Sequence, residues 1–136
     1  QMNRRKKLYV INRETASQKN SQNFFRGHVV KSAAFMAWKR SADMQIKSQG
    51  VPSEPYASAS IAVEFVHSDL RRRDGDNALA SVQDALVRNK VIADDCWTKI
   101  GTPSVTHSVG AVAMARVTVT ETEPIDWAAE LKRAKR

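Results

Sequence analysis

Apolar and polar positions alternate with two different periods along this chain, and each change of period marks an element. Over residues 58–67, Ile61, Val63 and Phe65 fall on one side and Ala62, Glu64 and Val66 on the other. Successive side chains of an extended backbone point in opposite directions, so this period of two predicts a strand with a well-packed face. Earlier, Phe35, Trp38, Ala42 and Ile46 recur at i, i+3, i+7 and i+11, which makes one apolar stripe on a helix over 28–48. The stripe reads as core rather than as a binding platform, and Gly50 suits the helix's C-terminal end. A second helix is predicted over 77–88, with Leu79, Val82 and Leu86 inward, Asp76 or Asn77 as its cap, and Asn89-Lys90 ending it. The short run 8–11 predicts a first strand, residues 12–27 a long polar loop, and 51–56, with Pro52 and Pro55, a connector. Residues 97–100 and 109–120 predict two more strands, the second with Ala113, Ala115, Val117 and Val119 on one face. Pro124 introduces a short C-terminal helix over 125–135, with Trp127 and Leu131 to dock it. The expected architecture is α+β: one domain over residues 1–136, a small mixed β-sheet covered by two main helices.

Composition narrows the class. A chain of 136 residues buries a core without disulfides or a structural metal. No apolar run approaches the roughly 20 residues that span a bilayer, and the basic start is not followed by the apolar stretch of a signal peptide. The one cysteine, Cys96, excludes an internal disulfide, has no zinc-type spacing, and fits a reducing compartment. Beside Trp97 it reads as a small packed hydrophobe rather than a nucleophile. The net charge of +8, from 22 basic against 14 acidic residues, points to a polyanionic partner. It is also clustered: Arg4, Arg5, Lys6 and Lys7 near the start, Arg71, Arg72 and Arg73 inside, and Lys132, Arg133, Lys135 and Arg136 at the end. Terminal basic tails are often only solvated. The internal run carries more information because acids adjoin it.

Those acids are Asp69, Asp74 and Asp76. Asp74 and Asp76 fall at the corner between the strand and the second helix. Residues i and i+2 of an extended stretch point the same way, so the two carboxylates are placed to hold Mg²⁺, which takes hard oxygen ligands. Gly75 between them permits a tight backbone path. A second pair, Asp94-Asp95, follows the helix, and a short return is expected to bring it beside the first. Three or four carboxylates then converge, as metal-assisted phosphoryl chemistry needs. Each part has a bland reading: Asp-x-Asp as a helix cap, Asp-Asp as a turn, the arginines as a solvated or salt-bridged loop. Together they supply acids for a metal and cations for phosphates within a few residues. His67 reads as a structural histidine; His28 and His107 carry no signal.

The run Arg71-Arg72-Arg73-Asp74-Gly75-Asp76-Asn77, then Asp84-Ala85-Leu86, then Val91-Ile92-Ala93-Asp94-Asp95 resembles the RusA family of phage- and prophage-type Holliday junction resolvases, over about residues 65–97. The resemblance implies a homodimer of a small α/β fold that binds four-way DNA junctions and uses Mg²⁺ to make paired symmetric nicks in the cytoplasm of a bacterial or phage-infected cell. It makes Asp74, Asp76 and Asp95 the catalytic, metal-holding aspartates and Asp94 a supporting ligand. Arg71, Arg72, Arg73 and Lys90 are the expected DNA contacts. The family's lysine, one turn into the helix, is Ala80 here, with Lys90 or Arg88 as stand-ins. That change favours the alternative, a non-catalytic branched-DNA-binding protein with a degenerate site. An RNA-binding module lacks its aromatic signature. Paired nicks need two sites, which a two-fold homodimer supplies; the apolar helix faces and the strand 61–65 are candidate contacts.

Overall fold

The computed structural model describes residues 4–17, 22–25, 28–73 and 75–136, without the side chains of 22–25 and 28–31. In chain order the elements are β1 (Lys6–Ile11), β2 (Gln22–Phe25), β3 (His28–Lys31), α1 (Ala33–Gln49), β4 (Ala59–His67), α2 (Gly75–Arg88), α3 (Trp97–Ile100), β5 (Ser104–Val109), β6 (Met114–Glu121) and α4 (Trp127–Ala134). The main sheet runs β1-β6-β4-β5. β6 pairs antiparallel with β1 and β4, while β4 and β5 are parallel. The fold is thus α+β with a mixed open sheet, as the pattern predicts.

One sheet face is apolar. Tyr9, Ile11, Ile61, Val63, Phe65, Ala115, Val117 and Val119 join Phe35, Trp38, Ala42 and Ile46 of α1 and Val82, Ala85 and Leu86 of α2 in a single buried cluster. The stripe on α1 is therefore core. The same burial removes the helix faces and the strand 61–65 as free dimer surfaces. On the other sheet face Lys6, Leu8, Ser60, Ala62 and Arg116 are exposed.

Several boundaries differ from the sequence reading. The helix begins at Ala33, not 28, because Ser32 caps it: its Oγ accepts from the Phe35 N–H at 3.1 Å. Residues 28–31 instead form β3, paired antiparallel with β2 inside the stretch expected to be loop. Residues 97–100 form one helical turn rather than a strand, closed by Gly101 at φ 59°. The expected strand 109–120 is found as β6 from Met114, while β5, Ser104–Val109, occupies the stretch expected to be the connecting loop. α4 forms but buries none of its residues.

Two ties fix the frame around the site. The Gln49 side chain behaves like an added strand residue on edge strand β1: its Oε1 accepts from Val10 N at 2.8 Å and its Nε2 donates to Val10 O at 2.7 Å, satisfying groups that an edge leaves open. Asp43 of α1 holds the end of α2, accepting from Arg88 Nη2 at 2.7 Å and from Asn89 Nδ2 at 2.8 Å. Burial works to raise the Asp43 pKa, but the hydrogen bonds from Arg88 and Asn89 outweigh it and hold the carboxyl below its ordinary value.

Candidate functional site

The carboxyl ends of the parallel strands β4 and β5 lie beside the start of α2, the position at which open α/β sheets characteristically bind ligands. The register pairs Phe65 with His107, so His107 projects on the same side as Phe65 and as His67 two residues further on. The His107 ring stacks on Phe65 with centroids 5.6 Å apart. Its Nδ1 is 2.9 Å from His67 Nε2. His67 Nδ1 is in turn 3.3 Å from Glu14 Oε1. Glu14 comes from the segment after β1, which is tied to α2 by a hydrogen bond from Ser81 Oγ to Ala16 O at 2.8 Å.

Beyond His67 the chain forms a loop organised by one carboxylate. Asp69 Oδ1 accepts from the Arg71 N–H at 3.0 Å and from Arg73 Nη2 at 2.6 Å, and Oδ2 is 3.2 Å from Arg71 Nε. The Arg71 backbone N–H, and then the Arg73 side chain, draw the Asp69 pKa down to about 2. Arg73 also pairs with Glu14 through Nε. The arginine run therefore divides. Arg73 is only 20% exposed and spends its donors inside the protein, whereas Arg71 is 75% exposed and faces solvent. Glu14, His67, His107 and Arg71 to Arg73 line a cavity of about 420 Å³, with Gly75 of α2 at its wall. Thr15 Oγ1, in the same lining, is buried without a hydrogen-bond partner among the described residues.

Asp76 lies in the first turn of α2 at this end of the sheet. Asp74 falls outside the described residues. Asp94 and Asp95 are elsewhere. After α2, Ile92 bridges to Tyr56, just before β4 begins, with Tyr56 N donating to Val91 O at 2.9 Å and Ala93 N to Tyr56 O at 3.1 Å. α3, which follows Asp95, is fixed near the same end by Ser58 Oγ donating to Lys99 O at 3.1 Å. α2 has 14 residues and rises about 21 Å; β4 has nine and spans about 30 Å. Asp76 and the Asp94-Asp95 pair therefore stand at opposite ends of these elements. The expected convergence of Asp76 with Asp95 within one chain is not met. Among the described residues no three His, Cys, Asp or Glu side chains are grouped to hold a metal ion. Asp94 Oδ1 instead accepts from Asp95 N at 2.7 Å, the local turn bond of the bland reading.

The basic stand-ins lie at that far end too. Lys90 terminates α2 at φ 60°, away from Arg71 to Arg73, and Arg88 is held by Asp43. Neither lies at the head of α2. Glu14 and His107, which the sequence reading passed over, are part of the cavity; their hydrogen bonds cross 53 and 40 residues, and no local pattern marks them. Comparison with known proteins finds no matching family model and no matching curated protein. Among the described residues no helix is long and apolar enough to cross a membrane.

Proposed function

We propose that this chain is a Mg²⁺-dependent, structure-selective endodeoxyribonuclease that resolves four-way DNA junctions by paired nicks as a homodimer, in the cytoplasm of a bacterial or phage-infected cell. The reading is carried by one observation: Arg71, Arg72, Arg73 and Gly75 line one cavity between the end of β4 and the head of α2, and the acids of the motif adjoin these residues in the sequence. Mg²⁺ commonly takes one or two protein carboxylates and completes its shell with water and substrate phosphate. Asp74 and Asp76 suffice for that without Asp95. The metal would supply charge stabilisation at the phosphate and an activated water. Arg71 reaches outward to the DNA backbone and Arg72 lines the cavity, contacts that position the duplex without reading its sequence. Arg73 orders the loop that carries both. Asp94 and Asp95, a full α2 length away, join such a site only from a second copy of the chain.

A second reading, a non-catalytic branched-DNA-binding protein, is favoured by that separation together with Ala80. Incubating the protein with a synthetic four-way junction, with and without Mg²⁺, separates the two. The nuclease makes symmetric nicks with Mg²⁺ alone; the binding protein shifts the junction and leaves it intact.

A further inference from the structure

We propose that His107 is the proton acceptor of this cavity, taking a proton from the water that attacks the scissile phosphate, with His67 and Glu14 as its positioning residues; the proposal rests on the nuclease reading above.

The direction of each hydrogen bond fixes the protons. Glu14, ion-paired with Arg73, is a carboxylate and only accepts. His67 Nδ1, 3.3 Å away, must therefore carry the hydrogen. In a neutral imidazole the other nitrogen is then an acceptor. His67 Nε2 accepts from His107 Nδ1 at 2.9 Å, which leaves His107 Nε2 with a free lone pair. That atom faces the head of α2: a Cβ built on Gly75 would stand 3.0 Å from it. The unprotonated nitrogen of the relay thus points at the residue between Asp74 and Asp76. The ring is held there by stacking on Phe65, whose centroid lies 5.6 Å away, and by its hydrogen bond to His67.

Among the described residues the other groups around the cavity do not take this part. Arginines keep their protons at any working pH, and Asp69 and Glu14 are both engaged by them. Ala80 offers no amine, Arg88 is bound to Asp43, and Lys90 is at the far end of α2. In the step itself, the water oxygen forms a bond to phosphorus and one of its protons passes to His107 Nε2. The bond from phosphorus to the leaving oxygen breaks, and that oxygen takes a proton from solvent. The positive charge on His107 is balanced through His67 by Glu14, an arrangement of acceptor, orienting group and carboxylate that general-base sites use repeatedly.

Two measurements on the whole chain test this. Long-range proton–nitrogen NMR correlation of the imidazoles should show both His67 and His107 with the hydrogen on Nδ1. A His107 ring with its hydrogen on Nε2 overturns the proposal whatever the activity. In single-turnover nicking of a four-way junction with Mg²⁺, His107→Ala should slow cleavage about 100-fold, leave junction binding intact, and recover rate as free imidazole is added. His107→Gln, which keeps more of the side-chain volume, should be as slow and equally folded. His67→Gln should slow cleavage about tenfold with no recovery by imidazole. Wild-type rates in His107→Ala, or a loss that imidazole does not restore in a folded protein, overturn the role of His107 alone. A wild type that binds junctions but never nicks them removes the nuclease reading and this role with it.

Discussion

At residue 75 a single methyl group would stand 3.0 Å from Nε2 and 3.3 Å from Cε1 of His107. Any side chain there makes the ring give by a few tenths of an ångström, so space against His107 adds to the tight backbone path read from the sequence as a reason for glycine. Gly75 opens α2, where the helix-interior advantage of alanine does not apply in full, and its Cβ would crowd His107, so Gly75→Ala should change unfolding stability by less than about 1 kcal/mol. It should also push the His107 ring off His67. Urea unfolding and the imidazole NMR shifts check the two halves; an unmoved His107 signal contradicts the contact. Asp69 gives a pH prediction. Its folded pKa, about 2, lies below the ordinary 3.8. Its contribution to loop order is therefore fully present above pH 3.8 and is lost as pH falls through about 2. Carbon-13 titration of the Asp69 carboxyl should give that midpoint, and one near 3.8 contradicts the loop geometry. Asp69 was visible in the sequence only as a neighbour of the motif. Glu14 and His107 were invisible, because a histidine gains meaning from the ring and carboxylate opposite it, and those are set by strand register.

At the scale of elements, legibility followed length and period. α1, β4 and α2 were predicted with their inward residues because a repeated pattern outweighs any single position. Four-residue segments gave no repeated signal: the i, i+3 spacing of Trp97 and Ile100 suits a helical turn better than a strand, and the turn forms as Ile100 N and Lys99 N both reach Cys96 O. The break between β5 and β6 had a signal in Gly110, whose N donates to His67 O at 2.9 Å and whose position would put a Cβ 2.9 Å from Val66 Cγ1. The hairpin of β2 and β3 was hidden by the polar residues before it. Asp43 tests how α1 and α2 are joined. Asp43→Ala removes one carboxylate from both Arg88 and Asn89; charge-assisted bonds of this kind, partly exposed, contribute about 1–2 kcal/mol. The urea midpoint should fall accordingly, and an unchanged midpoint contradicts the clamp. Because the Asp43 pKa is held low, the same stability should persist above its ordinary 3.8 and fade below it.

At the scale of the molecule, the charge of +8 is legible in composition, but its distribution is not. Arg71 and Lys90 lie at opposite ends of α2, so one chain does not present them as a single patch. Within the chain the apolar surfaces first considered for a dimer are core. Exposed instead are Ile125, Leu131 and Trp97, the last packed edge-on against Trp127 at 4.9 Å. Sedimentation at micromolar concentration should give about twice 15.2 kDa, and Leu131→Glu should return the chain to monomer; a wild-type monomer contradicts the two-site account. If Asp95 serves the partner's cavity, Asp76→Asn and Asp95→Asn should each be inactive alone, while mixed subunits regain one intact site and nick one strand. A mixture that stays inactive removes the exchange. The central claim, that the acids at the head of α2 cut DNA rather than merely cap a helix, rests on one comparison. Wild type and Asp74→Asn are placed on the same four-way junction with Mg²⁺, and binding and nicking are read together. The account predicts paired symmetric nicks by the wild type alone, with Asp74→Asn binding equally well or more tightly because negative charge near phosphates is gone. Equal nicking by both proteins, or binding without nicking by both, would contradict it.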